Sequence, residues 1–462
     1  MATSICIDDS EGFLNRLFKN TNILNTRLNT AKNNTKTKNN TKTKNNTKKR
    51  NNTKKRNDQN LDLFWLKRYV SEKTREIVDY NFDDFVKLFN LYKQSASQIN
   101  IIENSIIQKS ELDNKLAKLP RHFIWDENKI MISKSLIEPT NNSCKYILVK
   151  YFFERFNGNI ELYYKNDDSL TNIIKVIKLC TKIICFYAKY ASIKKYFTKL
   201  PNFKIFYTDF NKCLPRKDQI LGQEEINSAF ALENEIVLYR RQEIFKIIIH
   251  ELQHFYRFDF GGKEMETPTL KLRDLLGKTY NLSVPSHKIN PTESYAETNA
   301  TILNTIFSIS SPLTKEKLTA SLSTEMMFSI YQLGKLFNFQ NINNSHHIYK
   351  THKLTKTFTQ NSFAFEYYYL KSKLLFNYNG FMDFINNIHI YNQTENFKNS
   401  NLLNLKFPRD LADRFNLFEN FGNELLINDS DFNNDFNKAL NIVIKSKPSD
   451  KNLRMTKLEI PF

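Results

Sequence analysis

Glycine and proline are scarce in this chain, which has 9 Gly and 11 Pro among 462 residues. Sandwiches and barrels need many tight turns, and turns favour these two residue types. The scarcity therefore favours a fold rich in helices. The five cysteines, at positions 6, 144, 180, 185 and 213, form no CxxC pair. A scattered, odd-numbered set is typical of buried free thiols, so we expect a reducing compartment.

Long apolar runs are absent as well. The most apolar stretch, residues 173–187, is interrupted by Lys175, Lys178 and Lys182, which is typical of an amphipathic core helix and not of a membrane span. Residues 1–9 show no basic segment and no apolar run of the kind that opens a secretory signal. We expect an intracellular, cytoplasmic protein with no membrane span. The abundance of Asn, Lys, Ile, Phe and Tyr suggests an AT-rich genome, a bias found in large DNA viruses of protists and also in some protists and bacteria. For a viral protein the location would be the host cell or the virion.

Much of the net charge of +20 is concentrated near the N-terminus. An Asn-Asn-Thr-Lys repeat dominates residues 26–60, and residues 31–56 hold 11 Lys and Arg and no acidic residue. Because nothing apolar lies between Ala31 and Leu61, this tract cannot form a core and is predicted to be disordered. It can contact nucleic acid, anionic surfaces or acidic proteins. A repeat this regular can equally lack a selected function.

The sequence HELQH at 250–254 is the most informative feature of the chain. Apolar residues recur at helical spacing through 244–255, so this segment is predicted to be an amphipathic helix packed on a core. On such a helix His250 and His254 lie one turn apart on the same face, where both imidazoles can bind one Zn²⁺. Glu251 lies beside them as a candidate general base. Two histidines on a half-buried helix can also be ordinary core side chains, so the flanking sequence decides.

A second helix, carrying two carboxylates, is predicted downstream. Asn290 is suited to its N-cap and Pro291 to its first helical position. Glu293 and Glu297 lie one turn apart on it. A catalytic zinc commonly has three protein ligands and one open position, so Glu293 can supply the third ligand. Glu297 can accept the second imidazole N–H of a ligand histidine and fix its tautomer.

This order of motifs resembles that of the gluzincin metallopeptidases, in which HExxH is followed on a later helix by a glutamate ligand. Many members have ExxAD in that helix, whereas this chain has ESYAE at 293–297. A metzincin would have Gly at position 257 and His at 260, where this chain has Arg257 and Phe260. The resemblance covers about 144–310 and implies one Zn²⁺ per chain. It also implies an α+β fold, with a zincin-like (minigluzincin) core that holds a small mixed or antiparallel sheet and the active-site helices.

The chain is predicted to divide into five parts. These are an N-terminal segment at 1–25, the basic tract at 26–60, a helical N-terminal region at 61–143, the core at 144–310 and a helical C-terminal subdomain at 311–462. The core is predicted to contain, in order, strands at 146–153 and 160–164, a helix at 169–198, a strand at 203–207 and paired strands at 228–232 and 235–239. Asn157-Gly158 is a strong hairpin signal between the first two strands. Residues 99–107 are predicted to be helical.

The resemblance also implies groups that hold the substrate. The candidate edge strand, which would pair with the backbone of a peptide or protein substrate, contains Asn227, Ser228, Ala229 and Phe230. An ordinary covered strand has the same pattern. Family members stabilise the tetrahedral oxyanion with a Tyr or His from the C-terminal subdomain. The sequence does not choose among the candidates here, which are Tyr367, Tyr368, Tyr369, His346, His347 and His352. The three histidines lie in an Asn-rich stretch that is typical of a solvated loop.

Together these features predict a zinc metallopeptidase. Zn²⁺ bound by His250, His254 and Glu293 would acidify a water and polarise the scissile carbonyl. Glu251 would take the proton from that water and deliver it to the leaving amine. Two alternatives remain open: a catalytically inactive zincin-fold binding protein, and a basic nucleic-acid-binding or virion-associated protein that acts through residues 26–60. The intact Glu251 favours catalysis, because a binding protein has no chemical need for it.

Overall fold

A computed structural model of the chain describes residues 47–137, 142–193, 199–217, 219–259, 266–283, 289–382, 430–448 and 450–460. The N-terminal segment and residues 26–46 of the basic tract lie outside the described residues. The α-helices within this part of the chain are α1 (Thr47–Gln94), α2 (Lys109–Ala117), α3 (Asp126–Ile137), α4 (Leu170–Ile193), α5 (Gln223–Ile226), α6 (Ile244–Phe255), α7 (Glu266–Thr279), α8 (Pro291–Ser308), α9 (Lys315–Phe339), α10 (Lys371–Phe376) and α11 (Ser430–Ser446). A 3₁₀-helix covers Ser345–Ile348, and a π-helix covers Phe365–Leu370.

The strands form one mixed sheet and one short pair. They are β1 (Gln98–Gln108), β2 (Ser143–Phe153), β3 (Phe156–Tyr164), β4 (Asn202–Phe206), β5 (Ala229–Ala231), β6 (Glu235–Leu238), β7 (Leu282–Ser283) and β8 (Phe358–Thr359). The order in the large sheet is β1-β2-β3-β4-β6-β5. β1 to β3 are antiparallel, β3, β4 and β6 are parallel, and β5 is antiparallel to β6. The fold is therefore mixed α+β with a small mixed sheet, and β5 is an edge strand.

The helix α4 makes the crossover that joins β3 to its parallel neighbour β4, as a parallel pair requires. Its residues Ile173, Ile177 and Ile184 are buried in the main hydrophobic cluster, whereas Lys175 and Lys178 are exposed. This is the amphipathic pattern expected from the sequence. Within the described residues, no helix combines the length and the apolar character needed to cross a membrane.

One hydrophobic cluster joins the helical regions to the core. It includes Leu66 of α1, Ile147 of β2, Ile248 of α6 and Phe328 of α9, and it extends to Leu453 near the C-terminus. A smaller cluster covers the other face of the sheet. Because α1 and α9 both pack on α8, which in turn packs on α6, the N- and C-terminal helical regions belong to the same core as the segment that carries HELQH.

Two secondary-structure predictions were wrong. Residues 99–107 form part of strand β1, which pairs along its length with β2, because pairing with a neighbouring strand overrides local propensity. The hairpin of β2 and β3 forms, but its turn lies at Glu154-Arg155, since Phe153 pairs with Phe156. Gly158 lies inside β3, where a Cβ atom would approach Tyr151 to 2.5 Å. Glycine is required there by the close packing of this tyrosine.

Two further expectations need correction. α1 begins at Thr47, inside the tract predicted to be disordered. A helix that is already nucleated by a packed segment extends at little cost, which explains this continuation. The expectation of free thiols holds for Cys144, Cys180 and Cys185, which are buried and unpaired. It is wrong for Cys213, which is disulfide-bonded, and this weakens the argument for a reducing compartment.

Candidate metal centre

The helices α6 and α8 pack against each other and carry the predicted ligands. α6 is buried from Ile244 to Gln253, so His250 lies in the protein interior, and His254, one turn later, is partly buried. α8 begins as predicted: Asn290 is its N-cap, its side chain accepts a hydrogen bond from the Thr292 amide, and Pro291 occupies the first turn. Glu293 therefore lies in the first turn of a capped helix, where its position is well defined.

α8 is polar in sequence and nonetheless buried from Pro291 to Phe307. Its hydroxyl side chains donate hydrogen bonds to backbone carbonyl oxygens in the preceding turn, which satisfies them without water. These donors are Ser294, Thr298, Thr301 and Thr305. The helix can thus cross the core beside α6 and bring Glu293 and Glu297 to the two histidines.

Three side-chain atoms converge at one point. His250 Nε2 lies 3.0 Å from His254 Nε2 and 3.2 Å from Glu293 Oε2. His254 Nε2 lies 3.3 Å from the same carboxylate oxygen. In a tetrahedral zinc site with bonds of about 2.0–2.1 Å, neighbouring ligand atoms are about 3.3–3.4 Å apart. The observed triangle has nearly this size, so the structure brings together the three predicted ligands as a group that could hold a metal ion.

The second nitrogen of each histidine faces a carboxylate. His250 Nδ1 lies 3.1 Å from Glu297 Oε2, at an angle outside that of a well-aligned hydrogen bond. His254 Nδ1 lies 2.6 Å from Asp259 Oδ2. Such contacts keep the proton on Nδ1 and leave Nε2 free to bind a metal. Glu297 has the position predicted for it. Asp259 was not assigned this role from sequence, because it comes from the turn after α6 and its direction depends on that turn.

The charges around His250, His254 and Glu293 are suited to binding a cation. Burial lowers the pKa of His250, but Glu293 and Glu297 more than offset this and raise it above its ordinary value. Burial likewise lowers the pKa of His254, whereas Glu293 and Asp259 raise it well above that value. Burial raises the pKa of Glu293, but the two histidines hold it well below its usual range. The ligand carboxylate is therefore ionised, and an added cation would replace protons on the imidazoles.

Glu251 lies beside the ligands and differs from them electrostatically. It is 5% exposed, and burial is the main cause that raises its pKa above that of an ordinary glutamate, with Glu293 and Asp259 adding to the shift. His250 and His254 act in the opposite direction but do not cancel the shift, so Glu251 holds a proton more readily than an ordinary glutamate, which suits a group that accepts and returns one.

A small cavity opens beside His250. The residues that line it are Ile226, Asn227, Ser228, Ala229, Lys246, Ile247, His250, Glu251, Glu297, Tyr367 and Met455. Three of the four predicted edge-strand residues are thus at the cavity. The side chain of Phe230 is not, because it points to the other face of the sheet and stacks on Phe123 at 5.1 Å between ring centres.

The structure distinguishes the candidate oxyanion donors. Tyr367 lines the cavity, and its hydroxyl donates a 3.0 Å hydrogen bond to Glu293 Oε2. Tyr368 donates to the Leu453 carbonyl oxygen, and the hydroxyl of Tyr369 lies 3.0 Å from that of Tyr349. The π-helix presents these consecutive tyrosines in different directions. Such helices are frequent at functional sites.

The histidines of the other candidate group lie apart from the cavity lining. His346 and His347 are in the 3₁₀-helix and are partly buried, and His347 packs near His352 with 5.0 Å between ring centres. The stretch is thus a short helical turn anchored by the buried Ser345 and Ile348, in place of the predicted solvated loop. Within the described residues, His250, His254 and Glu293 form the one group suited to a metal ion.

A peptide segment near the end of the chain was not assigned to the site from sequence. Residues 450–460, here called the C-terminal segment, run along the N-terminal end of α6, and Met455 reaches the cavity. Glu243, the N-cap of α6, accepts hydrogen bonds from the amides of Met455 and Thr456. Glu325 of α9 accepts from the amides of Lys457 and Leu458. No signal in the local sequence of 450–460 predicts this docking.

No family model, no curated protein and no solved structure matches this chain.

Proposed function

We propose that the protein is a zinc-dependent metallopeptidase with a gluzincin-type site in a zincin-like core. The observation that carries this proposal is the convergence of His250, His254 and Glu293, beside a cavity that His250 and Glu251 line. Two imidazoles and one carboxylate at these separations suit Zn²⁺. When bound, the metal would polarise the scissile carbonyl and lower the pKa of a water.

The proton transfers fall to Glu251. Its carboxylate takes a proton from the attacking water and gives it to the nitrogen of the leaving amine. The raised pKa supports this role, because the protonated form must persist long enough to donate. Burial beside the ligands restricts bulk water, so the proton stays with the reacting groups.

The remaining lining residues hold the substrate. Asn227 and Ser228, which the sequence placed in the edge strand, directly precede it, and with Ala229 of β5 they offer main-chain groups at the cavity to an extended peptide. Tyr367 is the hydroxyl donor nearest the ligands, and burial together with the neighbouring carboxylates raises its pKa well above the ordinary value. A neutral phenol at this place can donate to the developing oxyanion.

The cavity also bears on the non-catalytic alternative. A purely structural zinc site is closed by four protein ligands. Here three ligand atoms converge, and the space beside them is lined by Glu251 and Tyr367. This arrangement supports a catalytic site over a binding protein in which the metal is only structural.

The test compares the wild type with Glu251→Gln. We expect about one zinc per chain in both proteins by elemental analysis, because Glu251 is not a ligand. Hydrolysis of a defined peptide mixture, followed by mass spectrometry, should fall about 10²–10⁴-fold in the variant. Glu316→Gln, at an exposed position in the first turn of α9, is the control and should retain activity. Full activity of Glu251→Gln with zinc bound would refute the mechanism.

A further inference from the structure

Lys246 is a charged residue in an otherwise apolar stretch of α6. It follows Ile244 and Phe245, precedes Ile247, and is 1% exposed. Burying an ammonium group is costly unless it is paired with an anion and hydrogen-bonded. A lysine at this place therefore needs an electrostatic reason.

The partner of Lys246 is Glu297. Its ammonium group contacts Glu297 Oε1, and both side chains are 1% exposed. The other oxygen of the same carboxylate, Oε2, faces His250 Nδ1 at 3.1 Å. Lys246 precedes His250 by four residues, so the two lie on the same face of α6, one turn apart. One carboxylate on α8 thus joins a cation and a metal ligand that are both on α6.

This arrangement fixes the carboxylate in charge and in position. Burial raises the pKa of Glu297, but Lys246 and His250 together hold it well below its usual range. Lys371 also acts on Glu297 through space, but its ammonium donates to the Met455 carbonyl oxygen at 3.1 Å. Lys246 is therefore the cation that holds Glu297 directly.

We infer that Lys246 is a positioning residue for the metal centre. By holding Glu297 Oε1, it keeps Oε2 beside His250 Nδ1, and His250 Nε2 then faces His254 and Glu293. Lys246 itself does not bind the metal. The inference concerns the metal site of the proposed metallopeptidase and rests on that proposal.

The test is a double-mutant cycle on zinc affinity, made with Lys246→Met, Glu297→Gln and the double variant. Zinc dissociation constants are measured by competition with a chromophoric chelator. The visible spectrum of the cobalt(II)-loaded protein reports the ligand geometry. Each single change should weaken zinc binding about 10–100-fold and alter the cobalt spectrum. Because Lys246 acts through Glu297, the double variant should be no weaker than Glu297→Gln alone.

The control is Lys129→Met. Lys129 is also a buried lysine, but its ammonium group donates to the Leu119 carbonyl oxygen at 2.8 Å. Leu119 belongs to the smaller hydrophobic cluster, on the other face of the sheet. The Lys129→Met substitution should lower stability and leave zinc affinity unchanged. Wild-type zinc affinity in folded Lys246→Met, or additive losses in the double variant, would overturn the inference.

The two proposals fail in distinguishable ways. If the wild type binds zinc but hydrolyses no peptide, the proposed function fails and the cycle still decides the role of Lys246. If peptide hydrolysis is found and Lys246→Met binds zinc like the wild type, the role of Lys246 fails alone. A wild type that binds neither zinc nor cobalt overturns both.

Discussion

The metal centre and the docking site of the C-terminal segment meet on α6 but are built in different ways. The metal ligands come from two local motifs, each with its key residues one helical turn apart. The docking site joins Glu243 to amides 212 and 213 positions later, and Glu325 to amides 132 and 133 positions later. Within each motif of the first region, helical spacing alone brings the key residues together. In the second region, the contacts form only when the tertiary fold brings distant residues together.

Buried carboxylates have different partners in the two regions. At the candidate metal centre, carboxylates face the imidazoles, an arrangement that would orient them for a cation. At the docking site, carboxylates replace the backbone partners that an extended segment would otherwise find in a sheet. Changes in the first region should alter metal affinity more than stability, and changes in the second should do the reverse.

The largest expected effect is loss of the metal from Glu293→Ala. Removing one of three ligands should weaken zinc binding by more than about 100-fold, which exceeds the usual effect of a residue that only orients a ligand. Elemental analysis after gel filtration measures the retained zinc. Glu235→Ala, in which a carboxylate paired with Lys204 on the sheet is removed, should retain about one zinc per chain. Zinc retained by Glu293→Ala would show that the third ligand is misassigned.

The next effect is on stability. Glu325 is fully buried and its Oε1 accepts from the amides of Lys457 and Leu458 and from the hydroxyl of Thr456. Glu325→Ala leaves these donors without their acceptor and should lower the free energy of unfolding by about 3 kcal/mol. Urea unfolding of the metal-free protein measures this free energy. The control is Glu316→Ala, at an exposed position on the same helix. Two outcomes would contradict this contrast between the regions. One is a variant as stable as the wild type, and the other is a folded variant with lowered zinc affinity.

The smallest of these effects is expected for Asp259→Asn. The substitution keeps the shape of the side chain but removes the charge that faces His254 Nδ1 at 2.6 Å. Zinc affinity should fall about 10–100-fold. The free energy of unfolding of the metal-free protein should change less than in Glu325→Ala. Competition with a chelator and urea unfolding are measured on the same preparations, and unchanged affinity would remove Asp259 from the site.

Sequence predicted the elements that are governed by local periodicity and capping. α6, α8 with its Asn290 N-cap, the paired strands β5 and β6, and the amphipathic α4 all form where they were expected. The predictions failed where pairing or packing decides. Strand β1 depends on β2, and Gly158 is determined by Tyr151 across the hairpin and not by a turn.

The sequence by itself determined which residues can bind a metal, since helical spacing alone places His250 with His254 and Glu293 with Glu297. Only the tertiary structure decided that these two pairs face each other, that Tyr367 is the tyrosine at the cavity, and that Lys246 and Asp259 complete the site. The physical reason is that helical periodicity is a property of a few neighbouring residues. A buried charge, in contrast, is stable only beside a partner that the folded chain brings from elsewhere.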